Sequence, residues 1–254
     1  WKEYGKAIKS GVYSDFQNRE KLQDLLLFPS SQSADGLTTL ADYVSRMAEG
    51  QTAIYYATGK DRGAAERLPQ MELLREKGVE VLYLLDRVDE FAIDSLRQYK
   101  DKKFQSVSRG DLQLDGIDNA AQEETEQAAK DSQDVLTAVK EHLGDKVAEV
   151  KISSRLKSSP VCLVSADSGI SLSMEQILSE IHETTMMKAR RILELNPQHA
   201  VFTRLKELHS QGAEAADFRD YCDLLYGQAL LMEGLPPEDP ADFAAKVARL
   251  MARG

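Results

Sequence analysis

Residues 53–57 of the chain read AIYYA, and residues 79–85 read VEVLYLL. Both runs are short, almost wholly apolar and rich in β-forming residues, as is typical of strands buried on both faces of a sheet. Between them, an Ala-, Glu- and Leu-rich stretch from Asp61 to Lys77, ended by Gly78, predicts a helix. This order of elements predicts a right-handed crossover between two parallel strands.

The flanking sequence extends the pattern. Val88–Tyr99 predicts a further helix, and Lys103–Ser108 predicts a third strand. Upstream, Asp15–Leu27 has helical spacing of apolar residues, and Thr38 can cap another helix. We therefore predict that residues 1–118 form an α/β domain, a small parallel-sheet α/β/α sandwich.

A change of composition marks a second domain. Residues 119–130 are crowded with Ala, Gln and Glu and lack large apolar side chains, which predicts a solvated helix or linker over residues 119–134. Residues 135–254 predict an α+β domain that ends in a helical hairpin. Its predicted elements are strands at 147–153, 160–165 and 190–195, a helix at Leu172–His182, and helices at 197–210, 213–233 and 240–253. Asn196-Pro197 and Asp239-Pro240 each place a capping side chain before a proline, which predicts the starts of the helices at 197–210 and 240–253.

Charge and hydropathy narrow the classes of partner. The 254 residues carry a formal net charge of −10, so the surface repels phosphate and we expect no nucleic-acid binding. No apolar run of about eighteen residues and no secretory leader are present, so we expect no membrane insertion and a cytoplasmic location. Cys162 and Cys222 lie in apolar surroundings, which favours buried free thiols over a disulfide. The first residue is Trp1, which indicates a piece of a longer protein.

The sequence contains no complete catalytic or metal-binding motif. Gly59-Lys60 follows a strand, as a phosphate-binding loop would, but Ile54 stands where that loop needs Gly and Asp61 where it needs a hydroxyl. We therefore predict no catalytic residue, no cofactor and no metal. The four histidines lack the spacing of metal ligands: His142, His182, His199 and His209.

The acidic turn Asp86-Arg87-Val88-Asp89-Glu90 has two interpretations. It follows a predicted parallel strand, at the sheet edge where open α/β sheets bind ligands, so it could serve a small-molecule or nucleotide-binding enzyme. The favoured interpretation is that Asp86 or Asp89 caps the next helix, with Arg87 as the counter-charge.

The last two predicted helices carry more apolar surface than a single packed face requires. This pattern is compatible with pairing to a second copy of the chain in a four-helix bundle, and equally with packing on the sheet of their own domain. The candidate dimer-interface residues are Phe218, Tyr221, Leu224, Leu225, Leu231, Met232, Phe243, Val247, Leu250 and Met251. The helix with Met174, Ile177 and Leu178 is likewise either core or an adaptable binding surface.

Several blocks of the sequence resemble heat-shock protein 90 chaperones, in the order of that family. The blocks similar to its middle domain are Tyr43-Val44-Ser45-Arg46-Met47, Gly50-Gln51 with Ile54-Tyr55-Tyr56, Gly78-Val79-Glu80-Val81-Leu82, Asp89-Glu90-Phe91 and Phe104-Gln105-Ser106-Val107. Glu194-Leu195-Asn196-Pro197 with His199 resembles its C-terminal domain.

The resemblance implies that residues 1–118 are the latter part of the middle domain and residues 135–254 the dimerisation domain, which favours pairing of two copies. In that family, ATP with magnesium binds in a separate N-terminal domain, so no ATP hydrolysis is expected of these residues. The implied partners are a second copy, unfolded or partly folded client proteins, and other chaperones. The client contacts implied by position are Phe91, Asp94, Met174, Ile177 and Leu178. The ending Leu250–Gly254 lacks the acidic tail of eukaryotic cytosolic members, which favours the bacterial branch.

Overall fold

The computed structural model describes residues 1–33, 36–112, 120–181, 187–213 and 215–252. The chain forms two compact units. The first unit contains Trp1–Asp118 and Ser173–Met186, and the second contains Asn119–Leu172 and Met187–Gly254. The described part of the second segment, Ser173–Ile181, therefore packs with the first unit, although it falls inside the predicted domain 135–254.

The first unit is built on a small sheet. Its elements before residue 113 are α1 (Gly5–Ser14), α2 (Arg19–Gln23), β1 (Leu27–Pro29), β2 (Leu37–Thr39), α3 (Leu40–Arg46), β3 (Ala53–Thr58), α4 (Arg62–Glu66), α5 (Glu72–Glu76), β4 (Leu82–Leu84), α6 (Arg87–Leu96), β5 (Gln98–Tyr99) and β6 (Lys102–Ser106). The strand order is β4-β3-β6-β5, and β3 is parallel to both β4 and β6. The short β5 runs antiparallel to β6, so the sheet is mixed at one edge. The predicted α/β class is confirmed.

Alternate residues of β3 face two separate hydrophobic clusters. Tyr55 packs with residues of α4, α5 and β4 such as Leu74. Ile54 and Tyr56 pack with the other cluster, which includes Ile93 of α6. This two-sided burial explains why the strand sequence is apolar without alternation.

Three predicted elements of the first unit are corrected. The helix predicted over 61–77 is broken, because Leu68, which precedes Pro69, adopts an extended backbone with ψ 131°. The helix predicted over 15–27 shrinks to α2, since Leu27–Pro29 pairs as β1 with β2. Thr39, and not Thr38, caps α3 by accepting a hydrogen bond from the Asp42 amide.

The second unit is a three-stranded sheet covered by helices. The remaining elements of the chain are α7 (Ala120–Lys130), α8 (Gln133–Leu143), β7 (Glu149–Ile152), β8 (Val161–Ser165), α9 (Leu172–Ile181), β9 (Arg191–Leu195), α10 (Ala200–Gln211), α11 (Ala216–Met232) and α12 (Pro240–Met251). The strand order is β7-β9-β8, with β9 parallel to β7 and antiparallel to β8. One face of this sheet packs against α8, α10 and α11 in a single core.

Helix starts in this unit follow side-chain capping. Asp239 accepts hydrogen bonds from the amides of Ala241 and Asp242, which confirms the predicted start of α12. The start of α10 differs from the prediction at Asn196-Pro197, because the ring of His199 accepts from the Val201 amide and makes His199 the cap. His199 therefore has a local structural role.

The opposite face of the second sheet holds a buried ion pair. Arg155 Nε donates to Glu194 Oε2 at 2.9 Å, and a second guanidinium nitrogen donates to Oε1 at 3.0 Å. The side chains of Arg155 and Glu194 are 0% and 1% exposed, and Ser153 donates a further hydrogen bond at 2.7 Å. This bidentate pair ties the loop after β7 to the central strand β9.

Candidate protein-binding surfaces

Helix α12 docks on α11 through one aromatic contact and two ion pairs. Gly227 lets the two helices approach closely, because a Cβ atom there would lie 2.6 Å from the Phe243 ring. Lys246 Nζ lies 2.6 Å from Asp223, and Arg249 lies 2.8 Å from Asp220. These contacts fix the terminal hairpin, although no residue of α12 is fully buried.

Asp223 is ionised at this joint. Burial opposes its charge, but hydrogen bonds from Lys246 and His142 outweigh burial and hold the pKa of Asp223 below its usual value. Partial burial disfavours the charge of Lys246, but its hydrogen bonds to Asp223 and Asp242 outweigh burial and raise its pKa. Both groups are therefore charged at neutral pH, and the ion pair between Lys246 and Asp223 continues to hold α12 against α11.

The predicted interface residues separate into three groups. Leu231, Met232, Leu250 and Met251 are exposed by 50%, 39%, 40% and 77%. Tyr221, Leu224, Phe243 and Val247 are half-buried. We call these eight residues the terminal apolar surface.

The last group corrects the prediction. Phe218 is 0% exposed and Leu225 is 3% exposed, and both pack in the core with the sheet. They share one stripe of α11 with Cys222 and Ala229, and that stripe faces inward. Phe218 and Leu225 are therefore core residues of their own unit rather than surface residues.

The five predicted client-contact residues lie on two helices of the first unit, α6 and α9. Phe91 is half-buried, with its ring 6.0 Å from that of Tyr13, and Asp94 is exposed one turn further along α6. On α9, Met174 is 9% exposed, and Ile177 and Leu178 are half-buried.

A hydrogen bond joins the two helices that carry these residues. Ser173 Oγ donates to Glu90 Oε2 at 2.6 Å, which places the start of α9 against the first turn of α6. Arg87 forms an ion pair with Glu180 near the other end of α9. Met174 thus behaves mainly as a packed residue, whereas Ile177 and Leu178 keep part of their surface in solvent.

Sequence reasoning missed two exposed aromatic residues near the start of the chain, one of which, Tyr13, contacts Phe91. Tyr13 and Phe16 are 42% and 74% exposed. The Arg19 guanidinium lies 4.5 Å from the centre of the Phe16 ring and donates hydrogen bonds to the carbonyls of Val12 and Ser95. Phe16 was missed because it fitted the apolar spacing of the predicted 15–27 helix, which the chain does not form.

The acidic turn is occupied by structural contacts, which disfavours the enzyme interpretation. Asp89 is 1% exposed, and its Oδ2 accepts hydrogen bonds from the amides of Leu85 and Asp86. Its Oδ1 lies 2.6 Å from Lys9 Nζ, and Asp86 pairs with both Lys9 and Lys6. Burial works against ionisation of Asp86, but these ammonium groups lower its pKa.

The counter-charge predicted for this turn is corrected. Lys6 and Lys9 of α1 neutralise the carboxylates, and Arg87 instead pairs with Glu180. Because Asp86 and Asp89 are held by backbone amides and by these lysines, the turn is better explained as a helix cap than as a pair of carboxylates for acid–base chemistry.

The cysteines are buried and free, as predicted. Burial raises the pKa of Cys222 to about 12 and that of Cys162 well above its usual value, so neither is a reactive thiolate at neutral pH. Among the described residues, no group of three or more His, Cys, Asp or Glu side chains could hold a metal ion. His182 lies outside that part of the chain. No described helix is both long and apolar enough to cross a bilayer.

Comparison with known proteins gives a consistent result. A family model described as "Hsp90 protein" matches residues 1–254. The chain is 48% identical over 249 residues to the "Chaperone protein HtpG" of Oceanobacillus iheyensis, which covers 98% of this chain and 39% of that relative. Relatives of the same name from Bacillus subtilis and Geobacter sulfurreducens are each 44% identical over 99% of this chain. The chain spans 39% of the length of these curated relatives.

Proposed function

Because the chain belongs to the Hsp90 protein family, we propose that it serves as the pairing and client-holding part of a chaperone. Two copies associate through the terminal apolar surface of α11 and α12, and unfolded or partly folded proteins bind near α6 and α9. The bacterial relatives carry the name chaperone protein, which supports this class of function.

The observation that carries the pairing proposal is the surface of α12. Phe243, Val247, Leu250 and Met251 form an apolar stripe at helical spacing, yet no residue of this helix is buried in its own chain. Leu231 and Met232, at the end of α11, are also exposed. Exposed apolar surface of this kind is typical of a protein–protein interface, and a second copy would supply the complementary face.

Aspartate in place of Leu250 is expected to convert a dimer into a monomer. The side chain is 40% exposed, so the folded chain tolerates the change, but an unpaired charge buried in the interface is costly. Sedimentation at micromolar concentration should show a dimer for the parent chain and a monomer for Leu250→Asp. Ala245→Asp, on the opposite side of α12, is the matched control and should remain dimeric. A parent chain that sediments as a monomer would refute the pairing proposal.

Truncation of Phe91 is expected to weaken client binding roughly fivefold or more, since aromatic anchors dominate many protein-binding surfaces. The measurement is a fluorescence titration of a permanently unfolded test protein with the parent chain and with Phe91→Ala. Tyr4→Ala is the control, because Tyr4 is also an aromatic residue and is 68% exposed. Tyr4 lies at the start of α1, whereas the Phe91 ring contacts Tyr13 near the end of that helix. Equal affinity of all three proteins would exclude Phe91 as a client contact.

A further inference from the structure

The acidic turn at the start of α6 engages two different helices. On one side, Asp86 and Asp89 hold α1 through Lys9, whose Nζ lies 3.1 Å from Asp86 and 2.6 Å from Asp89. Lys9 is only 4% exposed, and the rings of Trp1 and Phe28 lie 5.6 and 5.2 Å from its ammonium. The ammonium is thus enclosed between the two carboxylates and two aromatic rings.

On the other side, the same turn holds α9. Glu90 is 4% exposed and accepts the 2.6 Å hydrogen bond from Ser173 at the start of α9. Arg87 pairs with Glu180 near the end of that helix. Asp86 and Asp89 of the turn therefore bind α1, whereas Arg87 and Glu90 bind α9.

We propose that the first turn of α6 is a conformational coupler, through which the docking of α1 and the docking of α9 stabilise each other. The inference rests on the proposed function where it concerns clients: undocking of α9 would expose the apolar side chains of Met174, Ile177 and Leu178. The coupler would then regulate how much client-binding surface is available.

The physical basis is the double role of Asp89. Its carboxylate fixes the backbone of the turn through the amides of Leu85 and Asp86, and it is itself neutralised by Lys9. Glu90 is the next residue, so loss of the Lys9 contact loosens the backbone that aims Glu90 at Ser173. In the reverse direction, loss of the Ser173 contact leaves a buried carboxylate less well satisfied and strains the same turn.

Ser173→Ala tests the coupling without touching α1. Hydrogen–deuterium exchange of the 254-residue chain should show roughly tenfold faster exchange in α9, as expected for loss of a hydrogen bond to a charged group. Because coupling is reciprocal, exchange in α1 should also rise, roughly fivefold. The single tryptophan, Trp1, packs against Gly5 of α1, so its fluorescence should shift to the red as an independent readout.

Ser179→Ala is the matched control, because that hydroxyl donates to the Gln176 carbonyl within α9. It should change neither α1 nor the tryptophan emission. Faster exchange confined to α9 in Ser173→Ala, or no change in either helix, would overturn the coupler. Lys9→Met provides the reverse test, with faster exchange expected in α9. If that variant fails to fold, the Ser173→Ala result decides alone.

Client binding is measured separately by the same fluorescence titration. Coupled exchange with unchanged client affinity would remove the regulatory role while the mechanical coupling stands. Absence of client binding in the parent chain would instead refute the client-holding function, whatever the exchange shows.

Discussion

Replacing Leu225 with aspartate is expected to unfold the second unit, whereas the same change at Leu250 leaves it folded. Leu225 is 3% exposed and lies in the core shared by α11 and the three-stranded sheet. The variant loses the burial of a leucine side chain and places a charge in an apolar site, which together cost more than about 3 kcal/mol.

Urea unfolding followed by circular dichroism provides the measurement. Leu225→Asp should abolish the cooperative transition of this unit or lower its unfolding midpoint sharply. Leu250→Asp should keep a cooperative transition, with a midpoint lowered only by the stabilisation that dimerisation gives the parent chain. A Leu225→Asp protein that unfolds like the parent but sediments differently would place Leu225 at an interface and contradict its assignment to the core.

Replacing Arg155 with methionine is expected to destabilise the second unit by about 3–5 kcal/mol, since it leaves a buried carboxylate without its cation. Glu194 is 1% exposed and accepts two hydrogen bonds from the guanidinium, whereas Lys151 Nζ lies 3.6 Å away and is partly in solvent. The double variant Arg155→Met with Glu194→Met should recover most of the lost stability, because it removes both charges.

Arg204→Met is the control for this prediction, because its pair with Glu207 is about half exposed at both side chains. That variant should lose far less stability than Arg155→Met. An equal loss in both variants would contradict a special role for the buried pair.

Local sequence signals predicted the parts of the fold that depend on neighbouring residues. The apolar run around Tyr55 predicted a buried parallel strand, and Asp239-Pro240 predicted the start of α12. The family resemblance, which depends on blocks spread over the whole chain, agrees with the family match over residues 1–254.

Contacts between distant residues could not be predicted in this way. The Ser173–Glu90 hydrogen bond joins residues 83 positions apart, and the Arg155–Glu194 pair joins residues 39 positions apart. The spacing of apolar residues along the sequence does not predict which partner a charged side chain will contact. The association of α9 with the first unit was therefore invisible in the sequence.

The terminal helices show a different limit of pattern analysis. Helix α11 carries apolar residues on several sides, so spacing groups Phe218 with Leu225 but does not tell which group faces the core. Only the placement of the sheet separates the buried stripe from the exposed Leu231 and Met232. The interface prediction consequently mixed core and surface residues.

The first unit is built from two separate segments of the chain, and this arrangement affects its biosynthesis. Its two segments, Trp1–Asp118 and Ser173–Met186, are separated along the chain by a long part of the second unit. As the polypeptide leaves the ribosome, α6 emerges well before α9, whose Ser173 later donates a hydrogen bond to Glu90 in the first turn of α6. The early product therefore leaves Glu90 without Ser173, and full maturation of this unit must wait for downstream translation. A nascent chain released between the two segments would lack its final helix and become a substrate for the quality-control machinery of the cell.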